Sequence, residues 1–162
     1  MCTMEKMEAA YKIIDSCDSN LSTLLGTYAR KLVNEEDVAD IRTNIESEKV
    51  KRGKAIRELV SAAEVELEGF DLTLPDISKL SIDELGDIIV DYKGIIKYTD
   101  RIIEESTDIT NPKNVKFIKL NYTCSSHLGC LTSEYRKKLA SVNDEELDKL
   151  LQGMRNSYPG SF

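Results

Sequence analysis

The feature that most constrains this chain is a helical spacing of apolar residues, which fills four long stretches. Within each stretch apolar side chains recur every three or four residues, and none shows the apolar–polar alternation of a strand. The first stretch shows the spacing most fully, with Met4, Met7, Tyr11, Ile14, Leu21, Leu25, Tyr28 and Leu32. On a helix these side chains form an apolar strip along one side, and each such strip needs another apolar surface to cover it. The pattern therefore predicts an all-α protein.

Capping residues divide the first half of the chain into two helices. The spacing predicts helix 1 over residues 3–33 and helix 2 over residues 35–68. Asn34 and Asp37 form a plausible N-terminal cap for helix 2. Gly69 is a natural stop, because glycine accepts the left-handed backbone that ends many helices.

Stronger capping signals mark the starts of the helices in the second half of the chain. Ser81 followed by Glu84 predicts a capping box at the start of helix 3. Asn111 and Pro112 predict the cap and first residue of helix 4, which runs to about Ala140. A shorter fifth helix follows, with the apolar residues Leu147, Leu150, Leu151 and Met154.

These helices predict an antiparallel up-and-down four-helix bundle with a fifth short C-terminal helix. Most links between the helices are short, which favours antiparallel neighbours. The longest connection, residues 69–80, is rich in apolar side chains and is expected to pack over one end of the bundle. The predicted organisation is one domain over residues 1–156 and a flexible tail over residues 157–162.

Charge and cysteine content narrow the expected surroundings of the protein. The net charge of −7 disfavours nucleic acid and anionic membranes as partners. No signal peptide and no apolar run of membrane-spanning length is visible. The four cysteines are therefore expected to be reduced thiols, and the expected location is the cytoplasm.

Polar interruptions of the apolar strips suggest one candidate site. In an aligned up-and-down bundle, Asp18, Arg52, Tyr92 and His127 fall at about the same height. The functional interpretation is a ligand-binding pocket at mid-bundle, since bundles build sites from facing side chains. The alternative is an ion-pair and hydrogen-bond network that fixes the register of the helices.

The sequence gives little support for a metal site, a catalytic motif or a cofactor. Cys124 and His127 share a helix face, but Cys130 points elsewhere and four metal ligands are not in evidence, so no metal site is predicted. The single histidine excludes the standard di-iron site of ferritin-like bundles. No hydrolase or nucleotide-binding motif occurs, and no cofactor is implied.

Two further features have a structural and a functional interpretation. The basic run from Lys49 to Arg57 is either a solvated face that pairs with nearby glutamates or an anion site. Glycines inside the four long helices (Gly26, Gly53, Gly94 and Gly129) are expected where helices approach closely.

The leading interpretation is a non-enzymatic interaction or regulatory bundle that self-associates, with a dimer as the expected assembly. The alternative is a small-molecule-binding bundle, or an enzyme, with its pocket at the mid-bundle polar layer. Partner and ligand are not identified by the sequence, because bundles serve many unrelated activities.

Overall fold

The computed structural model describes residues 4–108, 110–142 and 144–157. Over these residues the chain forms helices and one short 3₁₀ turn, with no strand. The helices are α1 (Glu5–Val33), α2 (Ala39–Glu66), α3 (Ile82–Glu104), α4 (Pro112–Ala140) and α5 (Asp144–Ser157). The all-α prediction and the fifth short helix are therefore confirmed.

Two antiparallel hairpins make up the bundle. Helices α1 and α2 pack extensively on each other, and so do α3 and α4. Along the first hairpin Asp18 meets Arg52, and Tyr28, farther along α1, meets Arg42, earlier in α2. The second hairpin has the same antiparallel order. The up-and-down arrangement agrees with the prediction.

The two hairpins are staggered along their axes. The first residues of α1 lie beside the middle of α3, where the Met4 side chain packs on Gly94. Farther along α1, Asp18 already reaches Arg101, close to the end of α3 at Glu104. The largest fully buried side chains lie mostly in the overlap of the hairpins: Phe117, Met7, Ile14, Leu59, Leu85, Ile95, Leu131, Thr99, Cys17 and Cys124.

Local capping explains why α3 and α4 begin where they do. Ser81 and Glu84 form the predicted capping box, with the Ser81 hydroxyl accepting from the Glu84 N–H. The Asn111 side chain caps α4, and Pro112 is its first residue. At α2 the prediction was wrong: Asn34 follows the end of α1, and α2 starts only after Val38. Asp37 instead accepts from the Ala39 N–H at 3.1 Å, which forms a local turn.

The long connection between α2 and α3 packs on the bundle, as predicted. Its apolar side chains are half-buried against the core: Phe70, Leu72, Leu74, Ile77 and Leu80. Lys138 of α4 holds the connection by donating to the carbonyls of Ser78 and Leu80, at 2.7 and 2.6 Å. Gly69 starts the connection with φ +68°, a left-handed value that glycine accepts without strain.

Two sequence predictions concern residues at the edge of the described chain. Asn143, expected near the start of the fifth helix, and residues 158–162 of the expected tail lie outside the described residues. Ser157, assigned to the tail, is the last residue of α5. Within the part of the chain that the structure describes, none of the helices combines the length and apolarity needed to span a bilayer.

The conformation of Gly69 generates a stability prediction. Gly69→Ala places a side chain at positive φ and should lower the free energy of unfolding by about 1 kcal/mol. In Gly86→Ala, inside α3, the new Cβ would lie 3.8 Å from Tyr135, an ordinary contact. This control should be neutral or stabilising by up to about 1 kcal/mol. Urea unfolding of both variants measures the difference, and equal effects would contradict this explanation of Gly69.

Candidate functional site

An ion-pair cluster joins α1, α2 and α3 at the end of their overlap. Arg52 Nε donates to Asp18 Oδ1 at 2.6 Å, and Arg52 Nη1 donates to Glu105 Oε2 at 3.0 Å. A second Arg52 nitrogen pairs with the other Glu105 oxygen, so this pair is bidentate. Arg101 donates to the remaining oxygen of Asp18. The junction cluster, as we name Asp18, Arg52, Arg101 and Glu105, therefore ties three helices together.

The electrostatics of the junction cluster follow from these bonds. Partial burial by itself would raise the pKa of Asp18, but the hydrogen bonds from Arg52 and Arg101 hold it below its usual value. The Glu105 carboxylate, with Asp18, raises the pKa of Arg52. Asp18 and Arg52 are therefore charged at neutral pH. Each of the four groups already has a protein partner, which fits the structural alternative for Asp18 and Arg52.

Two cluster members were missed in the sequence. Arg101 and Glu105 lie near the C-terminus of α3, where charged residues are ordinarily taken as solvated. A signal for Arg101 was its place three residues after Tyr98 on the apolar side of α3, since both Tyr98 and Thr99 are buried. No comparable signal marks Glu105, which follows the last residue of α3.

Tyr92 and His127 form a separate aromatic layer. Their rings stack with centroids 6.2 Å apart and an interplanar angle of 25°. Phe70 from the long connection meets Tyr92 edge-on, with centroids 6.0 Å apart. Burial raises the pKa of Tyr92 and raises that of Cys124 to about 11. His127 Nδ1 is buried and has no hydrogen-bond partner among the described residues.

The four predicted site residues therefore form two pairs at different heights. Arg101, which contacts Asp18, follows Tyr92 by nine residues, which is about 13 Å along a helix. The prediction of a common height assumed hairpins without a stagger. Neither pair lines the groove of about 670 Å³ between α1 and α2, where Ile13, Ala62 and Val65 contribute apolar surface. Whether any of the four binds a ligand remains a prediction.

Beyond the junction cluster the α1–α2 hairpin continues as a projecting arm, residues 19–50. Among its side chains only Ile45 is fully buried. Leu25 is 51% exposed, Leu32 48% and Val33 82%. These three large apolar side chains all lie on α1, so the arm carries apolar surface that nothing in the described chain covers.

The exposed leucines continue a face of α1 that α3 covers elsewhere. Met4, Tyr11, Asp18, Leu25 and Leu32 follow one another at seven-residue intervals and so share one side of the helix. The first three contact α3: Met4 packs on Gly94, the Tyr11 ring meets Tyr98, and Asp18 binds Arg101. Leu25 and Leu32 lie past the end of α3. We name Leu25 and Leu32, with Ala29 between them, the open face.

Glycines inside the helices divide into two kinds. At Gly94 an added Cβ would lie 2.9 Å from Met4, so the expected close approach of helices is confirmed there. At Gly26 and Gly129 an added Cβ would meet nothing within 4 Å, so within one chain the expected packing reason is wrong for these two. Gly26 lies in the arm, next to Leu25.

The basic run on α2 is partly neutralised within the chain. Lys49 pairs with Glu46 at 3.5 Å and Lys54 with Glu58 at 3.9 Å, as the solvated-face interpretation predicts. Glu48 instead accepts from Asn20 at 3.4 Å. These pairs are exposed and therefore weak. Lys51 and Arg57 have no ion pair with any described residue.

The described cysteines, Cys17, Cys124 and Cys130, give no sign of a reactive or metal-binding centre. Cys124 is buried and Cys130 is exposed, as expected from their helical spacing, and Cys17 is buried too. Burial, with Glu48 nearby, raises the pKa of Cys17. Buried thiols that stay protonated are poor nucleophiles. Within the described ranges no three His, Cys, Asp or Glu side chains are grouped as metal ligands.

No protein-family model, curated protein or solved structure matches this chain. Two features stand out: a junction cluster in which each charged side chain is bonded within the protein and, directly beyond it, an arm with an uncovered apolar face.

The junction cluster generates a pH prediction. The Asp18→Asn variant should lower the free energy of unfolding at pH 7 by about 1 kcal/mol, a figure reduced for partial exposure. The folded pKa of Asp18 lies below its unfolded value, so its stabilisation is complete above about pH 4 and is lost as the pH falls further. Urea unfolding at pH 7 and pH 3 should therefore show a smaller difference at pH 3 than at pH 7.

Asp15→Asn is the matched control, because Asp15 lies one turn away and reaches Arg101 only at 3.8 Å. Its effect at pH 7 should be smaller. A deficit for Asp18→Asn that is as large at pH 3 as at pH 7 would show that lost packing, not charge, is responsible.

Proposed function

We propose that this protein is a non-enzymatic interaction module that self-associates, with a dimer as the simplest assembly. The observation that carries the proposal is the open face of the arm. Leu25 and Leu32 occupy positions that are covered by α3 elsewhere along α1, yet about half of each side chain is exposed. Covering such a face by another subunit releases water from apolar surface, which favours association.

The polar clusters support a non-enzymatic function. In the junction cluster each charged side chain is already bonded to another protein side chain. Asp18 and Arg52 therefore act best as a structural anchor for the arm. The buried thiols of Cys17 and Cys124 have raised pKa values, which suits a reducing location. We therefore also propose the cytoplasm as the location.

Oligomeric mass tests the proposal. Native mass spectrometry and light scattering at about 10 µM should give a multiple of the 18.3 kDa chain mass. The Leu25→Glu variant should shift the population toward monomer, because it buries a charge in the interface. Val65→Glu is the control, since Val65 is 73% exposed on α2 but outside the arm. A wild-type protein that is monomeric at 10 µM would overturn the proposal.

A second candidate function is small-molecule binding at the aromatic layer. It is favoured by one observation, the buried His127 Nδ1 that lacks a partner among the described residues. A polar group of a ligand would satisfy this nitrogen, and the Tyr92 ring would stack on the ligand. This site would use only Tyr92 and His127 of the four predicted residues.

The same native spectrum tests this second candidate. Retained mass in gently purified protein, absent after denaturation and absent from His127→Ala, would support ligand binding at the layer. Unchanged retained mass in His127→Ala would place any ligand elsewhere. Wild-type protein without retained mass, and without a stability response to added metabolite extracts, would exclude it.

A further inference from the structure

Leu25 and Ala29 of the open face lie in a stretch of α1 without charged residues. Residues 19–29 contain no Lys, Arg, Asp or Glu, in a chain in which such residues make up 31%. Depletion of charge is typical of the core of a protein interface. In α4, residues 120–133 also lack charged residues. There the packing within the chain explains it, because Leu120, Cys124 and Leu131 are buried and α3 packs on α4. The arm stretch has no fully buried side chain.

Gly26 at the centre of this stretch lacks a reason within the chain. Glycine in a helix interior lowers stability by about 1 kcal/mol relative to alanine. No atom lies within 4 Å of the position where its Cβ would be. On the helix Gly26 lies about 100° from Leu25, so it does not itself belong to the open face.

The two ends of the arm carry opposite charges. Its tip has four exposed acids and no base over residues 35–40: Glu35, Glu36, Asp37 and Asp40. One of them, Glu36, pairs with Lys31 at 4.0 Å. Its base on α2, which continues past the arm itself, has five basic residues and no acid over residues 49–57: Lys49, Lys51, Arg52, Lys54 and Arg57. Arg52 belongs to the junction cluster, and the other four are exposed. A surface with this polarity is complementary to itself when one copy is reversed.

The dimensions of the arm match such a reversal. From Asp18 to the end of α1 at Val33 the helix rises about 22 Å, with Leu25 near the middle. If two arms cross antiparallel with Leu25 near the twofold axis, the tip of each lies about ten residues from the centre. Because the partner is reversed, the base of its arm lies at about the same distance from the centre, on the same side as this tip. The acids of each tip therefore reach the lysines of the partner's base.

We propose that two copies of this chain pair through their arms, antiparallel, with open face on open face and each acidic tip against the partner's basic run. The proposal rests on the proposed function, since it specifies the surface and geometry of the self-association. The apolar contact supplies affinity, and the charge pattern selects the antiparallel over the parallel arrangement. The partner helix takes the place that α3 occupies along the first half of α1.

Two charge-reversal variants test the arrangement. The tip variant has Glu35→Lys, Glu36→Lys and Asp40→Lys. The base variant has Lys49→Glu, Lys51→Glu and Lys54→Glu. All six residues are exposed, so both variants should fold, which circular dichroism verifies. Each variant alone puts like charges together and should raise the dissociation constant of the dimer roughly a hundredfold.

Mixing the two variants gives the decisive result. The tip variant has a basic tip and a basic base, and the base variant has an acidic tip and an acidic base. An antiparallel pair of one of each restores both attractive contacts, so the mixture should form a heterodimer with near wild-type affinity. Analytical ultracentrifugation with one fluorescent variant measures it. Added salt should weaken the heterodimer, because these charges are exposed.

A matched control reverses three exposed lysines of α4, with Lys116→Glu, Lys119→Glu and Lys137→Glu. It changes the net charge as much as the base variant does and should leave the dissociation constant within about threefold of wild type, the residual effect of net charge. If the wild-type protein dimerises and both arm variants have the same dissociation constant as wild type, the arm pairing is overturned and the proposed self-association stands. A wild-type protein that is monomeric at 10 µM would overturn both. Arm variants that are monomeric alone but form no heterodimer would also overturn the antiparallel arrangement.

Discussion

Helix α3 ends at Glu104, while α1 beside it continues for about four more turns, and this difference in length shapes the rest of the molecule. Up to Asp18 the α3 side of α1 is covered, and the buried core lies in that overlap. Beyond Asp18 the same side of α1 carries Leu25 and Leu32 into solvent. A two-helix arm can bury only the strip between its helices, so its other apolar side chains stay exposed.

The junction cluster stands where the covered and uncovered parts of α1 meet. Charged groups in a partly buried place are stable only when they are well paired, and here Arg52 and Arg101 bind Asp18 from two different helices. Such directional contacts fix the register of the helices more strictly than apolar packing, which tolerates sliding. We interpret the cluster as the support that fixes the arm in position.

Local features of the structure could be predicted well from the sequence. The capping box at Ser81 and the cap at Asn111 depend on neighbouring residues only, and both are confirmed. Gly69 has the expected left-handed backbone, but α2 ends three residues earlier, at Glu66, with Leu67 as its C-cap. The pairing of Asp18 with Arg52 could also be predicted, because both lie at matching positions of one hairpin. Asn34 was misassigned, because a residue that favours a helix start is equally suited to a helix end.

The relation between the hairpins could not be predicted in this way. An apolar strip shows which side of a helix is covered, but it does not show how far one helix slides along another. Tyr92 and His127 were therefore placed at the height of Asp18, whereas the stagger separates the two pairs. For the same reason the arm was invisible in the sequence, since Leu25 and Leu32 continue the strip of Met4 and Tyr11 with the same spacing beyond the interruption at Asp18.

The central claim is that the arm is completed by a second copy of the chain, and hydrogen exchange at several protein concentrations tests it most directly. If the arm pairs, amides of residues 19–30 should be protected at 100 µM and should exchange faster on dilution, while those of α3 stay unchanged. The account would be contradicted if the protection of the arm were the same at every concentration while the protein remained a monomer.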